Sequence, residues 1–324
     1  MQQPAPSEQA HKNGYTMKKL FVAAAAVLAA CAAFAQNVDY LKRYDLLVGR
    51  VGPAGVGVET LIDNWEKAEP DNADMLAARF YYYLAKGQDT EMVTRSEAKY
   101  LGLAPLLSLK DSTGRDVHYY ELIRYDDEMF AKALSYVDKA ISLYPERLGF
   151  RFMKANAYMS YERENPDMAL ANLLALVHEY MTGTAEWTYD EGAQGSQPVD
   201  REAFAGMMQE YCFSFYTIGS PVSQEAFHTL SKQLCDLYPD NMVFLNNIGS
   251  YYLLKRDYKT ALKYYDKVLK KHPDDYTAMQ NGLLATRKMK NVKLEKKYLG
   301  MIARHGSEKD RMLAQSRLDA LNGK

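Results

Sequence analysis

Residues 242–275, MVFLNNIGSYYLLKRDYKTALKYYDKVLKKHPDD, constrain this chain more than any other stretch. Leu245, Ile248, Gly249 and Tyr252 recur at spacings of three and four, as do Ala261, Leu262, Tyr265, Val268 and Leu269. Each set lies on one face of a helix. Lys255-Arg256-Asp257 is the polar turn between the two helices, and Pro273 stops the second. Gly249 and Ala261 are small, which lets the helices approach closely. The same punctuation returns elsewhere. EPDNADML, YPERLGFR, YPDNMVFL and HPDDYTAM, around Pro70, Pro145, Pro239 and Pro273, each read as a helix end, a proline, an acid and a new helix. Self-similarity of this kind is the mark of stacked helical pairs.

The 242–275 stretch resembles the tetratricopeptide repeat (TPR). Leu245, Ile248, Gly249, Tyr252, Ala261, Tyr265, Val268 and Pro273 stand at the positions of that family's pattern. Ala133, Val137, Ala140 and Pro145 match its second helix, and Ala155 and Tyr158 its first. Gly282-Leu283 reverses the family's Leu-Gly, which weakens the register there. The resemblance implies an all-α fold, a TPR-like superhelical array of antiparallel helix pairs with two irregular insertions, at about 88–120 and 181–200. Ser307 suits the N-cap of a charged capping helix over 307–321.

The first insertion alternates around Asp-Ser-Thr-Gly and reads as a small hairpin or an irregular excursion. Its Asp111-Ser112-Thr113 is similar to the O-glycosylation acceptor of some Gram-negative bacteria, and plain turn chemistry explains it as well. The second is polar and Gly-rich, with Trp187 and Tyr189 either carrying function or pinning the loop to the helices. Gly49, Gly52, Gly55 and Gly57 lack the strand and the Gly-Lys-Ser/Thr of a phosphate loop, and read as a helix–helix turn.

Residues 1–35 read as a leader. Met17 opens a signal-peptide pattern: Lys18 and Lys19, a short apolar run and Ala33-Phe34-Ala35. Translation is therefore expected to start at Met17, leaving 36–324 as the repeat domain. Leu28-Ala29-Ala30-Cys31 resembles a lipobox, which makes Cys31 a lipidation candidate. Export to the periplasm follows from cleavage after Ala35, and outer-membrane anchorage from lipidation. Export also permits a disulfide between Cys212 and Cys235, against the ordinary alternative of two buried thiols.

Charge is segregated. Residues 251–324 hold 18 Lys and Arg against 8 Asp and Glu, net +10, while 36–250 hold 19 against 32, net −13. The six histidines are scattered, and no metal-ligand spacing, nucleophile elbow or CxxC is present. No cofactor and no metal are expected, and the reading is of a binding protein, not an enzyme.

The resemblance implies a non-catalytic scaffold holding a protein or peptide partner on the first helices of the pairs. The family's ligand-facing positions fall on Asp74, Tyr81, Phe152, Asn156, Asn246, Ser250, Gln280 and Arg287. Asn156 matches the asparagine that binds peptide backbone; the lysine and second asparagine of the carboxylate-clamp subclass do not line up. Two alternatives rest on charge. The basic end, Lys255 to Lys297, is suited to anionic lipid or polysaccharide, and the acidic body to self-association with it. Nucleic acid is not expected of an exported chain.

Overall fold

A computed structural model describes residues 39–183, 186–190 and 196–323. The leader, the start at Met17, the cleavage site and Cys31 lie outside the described residues. Contacts divide the chain into two units, Met1–Pro70 and Asp71–Lys324.

The described part of the first unit is two helices, α1 (Tyr40–Val51) and α2 (Val58–Ala68). Tyr40 stacks on Trp65 with ring centres 5.9 Å apart, and the indole donates to Glu69 at 3.1 Å. The glycines between them make a turn. Gly52 and Gly57 have φ of 80° and 87°, left-handed values that cost an L side chain about 1–2 kcal/mol.

The second unit alternates helices from α3 (Ala73–Lys86) through three strands, β1 (Gln88–Arg95), β2 (Leu107–Lys110) and β3 (Asp116–Tyr125), to α4 (Asp127–Leu143). It continues with α5 (Leu148–Tyr161), α6 (Asp167–Thr182), β4 (Thr188–Asp190), β5 (Ser196–Pro198), α7 (Arg201–Ile218) and α8 (Pro221–Leu237). The last pairs are α9 (Met242–Leu254) with α10 (Tyr258–Lys271) and α11 (Tyr276–Lys288) with α12 (Val292–His305), closed by α13 (Glu308–Leu321). Within each unit most helices pack mainly on a neighbour in sequence, while α6 packs on α8 as much as on α5. First helices also meet, α7 with α9 and α9 with α11, and so do the second helices α6 and α8.

The four proline stops share one backbone geometry. Glu69, Tyr144, Tyr238 and His272, each just before the proline, have φ between −125° and −141° and ψ between 61° and 79°. Proline's ring forbids the helical conformation to the residue before it, so the helix ends there. At three stops the residue two places after the proline then caps the next helix. Asn72, Asn241 and Asp275 accept backbone N–H groups through their side chains. Arg147 at the fourth has no capping side chain; it pairs with Asp190 instead.

The all-α expectation holds for the bulk of the described residues, with two small sheets added. The first insertion is wider than the alternation indicates, an antiparallel sheet of order β1-β3-β2 over 88–125. Its turn is built by Asp111, whose Oδ1 accepts from the Thr113 N–H and hydroxyl and from the Arg115 N–H. Those donors hold the Asp111 carboxyl at about 2. Tyr120 and Leu122 turn inward, Leu122 joining Leu101 and Ile218. In the second insertion the aromatic pair pins the loop. Trp187 is 3% exposed against Tyr180, Phe204 and the Arg151 guanidinium, and Tyr189 lies edge-on to Phe152 at 6.0 Å. Burying one such aromatic is worth about 2–3 kcal/mol.

Of the two alternatives for the cysteines the structure has the free thiols: Cys212 is buried and Cys235 half-buried. Cys212 faces Ser231 on α8, its sulfur 3.5 Å from the hydroxyl. Cys235 stands one helical turn beyond Ser231.

Candidate partner-binding surface

The first helices of the pairs bury one stripe and leave another open. On α7 the stripe Phe204, Met208, Tyr211, Cys212 and Phe215 is buried, while Gly206, Gln209, Phe213 and Tyr216 follow a second line three or four residues apart. Phe213 is 57% exposed and Tyr216 42%. The hydrophobic run of α7 suggests that Phe213 faces α8 with its neighbours, and the structure corrects that. It is two residues from both Tyr211 and Phe215, a spacing that turns a helical side chain away from theirs. The open line continues on α9 through Val243 and Leu254, and on α11 through Gln280, Leu284 and Arg287.

Two cavities border the first helices. One, of about 700 Å³, lies between α7 and α9, with Glu202, Gly206, Gln209, Asn241 and Val243 in its wall. Gln209 accepts from Asn247 at 2.7 Å, tying the two helices across it. The other, of about 300 Å³, lies among α11, α12 and α13, lined by Gln280, Leu284, Arg287, Ile302, Asp310 and Leu313.

Four of the eight residues expected on this surface are accessible. Tyr81 is 45% exposed, and burial of its ring flank with the field of Tyr189 raises its pKa. Asn156 is exposed on α5. Gln280 donates to the Tyr276 hydroxyl at 2.6 Å, and Arg287 is bound to Glu295 at 3.1 Å. Asp74 is half-buried in the first turn of α3.

The others are structural. Phe152 is 7% exposed and packs on Tyr189 and Tyr211. Asn246, also 7% exposed, donates to both oxygens of Asp275 at 3.2 and 3.3 Å, joining α9 to the cap of α11. Ser250 lies 3.4 Å from the Tyr265 hydroxyl.

The strongest electrostatic feature beside the second cavity is Glu295. Its carboxylate is 6% exposed and takes Arg287 from α11 and Arg317 from α13, both at 3.1 Å. Burial pushes its pKa up, and the two guanidiniums outweigh that and hold it below the usual range. Three helices are thereby joined through one carboxylate.

No group of His, Cys, Asp or Glu among the described residues could hold a metal ion. No described helix is long and apolar enough to cross a membrane. No protein-family model matches the sequence, and no curated protein matches it.

Proposed function

We propose that this chain is a TPR-like, non-catalytic scaffold, exported to the periplasm, that binds a peptide or protein segment along its first helices. Lipidation at Cys31 would tether it to the outer membrane. One observation carries the binding reading: one cavity opens between the first helices α7 and α9 and another among α11, α12 and α13, with exposed Val243 in the wall of the first and Leu284 and Leu313 in that of the second. Exposed aliphatic side chains in concave, partly polar walls suit the docking of an apolar peptide side chain. The walls offer Gln209, Asn241, Gln280 and Arg287 for hydrogen bonds to a peptide backbone.

Panning a displayed peptide library against the full chain tests this. Gly206 lines the first cavity and has no atom within 4 Å of where a Cβ would stand, so Gly206→Trp is chosen to project an indole into it. Leu284→Arg places a charge at the second. Selected peptides should lose at least tenfold in affinity to one variant or the other, about 1.4 kcal/mol. Peptides indifferent to both variants would overturn the reading.

A further inference from the structure

Lys259, Lys263, Lys267 and Lys270 on α10 are all exposed. At about 100° per residue they fall within a wedge of roughly 80° and span about 16 Å of helix. The acids of this basic end are mostly committed elsewhere. Asp257 and Asp275 cap helices, Glu295 is buried between two arginines, Asp310 accepts from the Ser307 hydroxyl and Asp319 from Gln315.

Asp266 is the acid that sits among the α10 lysines, and α12 occupies it. Lys297 reaches it at 2.7 Å and the Tyr298 hydroxyl at 2.9 Å. That bridge brings a second exposed row, Lys293, Lys297 and Arg304, alongside the first. Among the described residues Lys259, Lys263, Lys270 and Lys293 form no ion pair, and Lys267 lies 5.0 Å over the Tyr264 ring. None of these lysines lines either of the two cavities beside the first helices.

We propose that this two-helix face of α10 and α12 docks on an anionic phospholipid membrane. Two adjacent rows of flexible cationic groups, ammoniums except for Arg304, suit a plane of phosphates, which needs charge density and no fixed fork geometry. A polysaccharide strand would call for a groove with aromatic platforms, and Tyr264 is the one ring the face offers. Apolar side chains are nearly absent from the two rows, with Val292 at their edge, so adsorption is electrostatic and weakens steeply with salt. The face uses other residues than the peptide surface and stands independently of it.

Co-sedimentation of the full chain with vesicles tests the proposal. Phosphatidylcholine vesicles measure the baseline, including any contribution of the apolar stretch 17–35. Phosphatidylcholine–phosphatidylglycerol vesicles should bind more, and high salt should abolish the excess. Each lysine contributes about fivefold to such partitioning, so Lys259→Gln, Lys263→Gln and Lys270→Gln together should lower it about a hundredfold. The same three positions changed to Arg should retain it, and circular dichroism checks that both variants fold. Equal binding to neutral and anionic vesicles, or a glutamine variant that binds like the parent, would overturn the proposal. So would retention on a soluble polyanion such as heparin without any vesicle preference, which would assign the face to a polysaccharide.

Discussion

Gly249 and Gly282 each sit where a side chain would enter an aromatic ring. A Cβ on Gly249 would lie 2.6 Å from Tyr265 Cε1, and one on Gly282 2.0 Å from Tyr298 Cε1. The reversed Gly282-Leu283 therefore keeps the register: glycine and ring are equally far apart along the chain in both pairs. Both rings are fully buried, and Tyr298 is further held by Asp266, so they yield little. Gly282→Ala is expected to destabilise by about 1–3 kcal/mol and Gly249→Ala by less, after a helix-propensity gain of about 1 kcal/mol in each. Gly206→Ala, in open space, should stabilise by about 0.5–1 kcal/mol. Urea midpoints order the three, and a neutral Gly282→Ala would refute the contact. The two cysteines give a second residue-scale prediction. Burial pushes both thiols up to about 12, so at pH 8 neither is a thiolate. Iodoacetamide should label neither in the native protein and both after denaturation. Rapid native labelling of Cys212 would contradict its packing.

At the scale of elements, the helix boundaries follow from local chemistry and the links between helices from burial. Proline stops and Asx caps are written in adjacent residues, so the breaks at Pro70, Pro239 and Pro273 are legible, each cap worth about 1 kcal/mol. Strand β1, QDTEMVTR, carries almost no alternation because six of its eight residues are exposed; pairing with β3 makes it a strand. Glu295 is likewise read as one more charge on α12 until α13 closes over it. Its folded pKa is depressed, so its stabilisation is complete above the unfolded value near pH 4.3 and is lost as pH falls through the folded value. Glu295→Gln should cost about 2 kcal/mol at neutral pH, less than a fully buried pair because both arginines are half-exposed. Measured against pH, the gap between parent and variant should close below about pH 4. A gap that persists at low pH would show that shape, not charge, holds α13.

For the whole molecule, packing between sequence neighbours makes stability a sum of local terms. The sequence has two tryptophans, Trp65 in the first unit and Trp187 in the second. Trp187→Phe should then report the unfolding of the first unit alone and Trp65→Phe that of the second. Different urea midpoints by fluorescence are expected, and coincident ones would indicate a single cooperative transition. The chain by itself determines its helical pairs, because period, proline and cap act within a few residues. It also places charge: the excess of lysine after residue 250 is plain in composition. Tertiary structure alone decides which side chains remain available. Phe152 and Asn246 stand at surface positions by count and are buried by Tyr189, Tyr211 and Asp275. Phe213, read as core by its company, is left in the open. Accessibility depends on what distant segments cover, and helical spacing carries only the angle at which a side chain leaves its own helix.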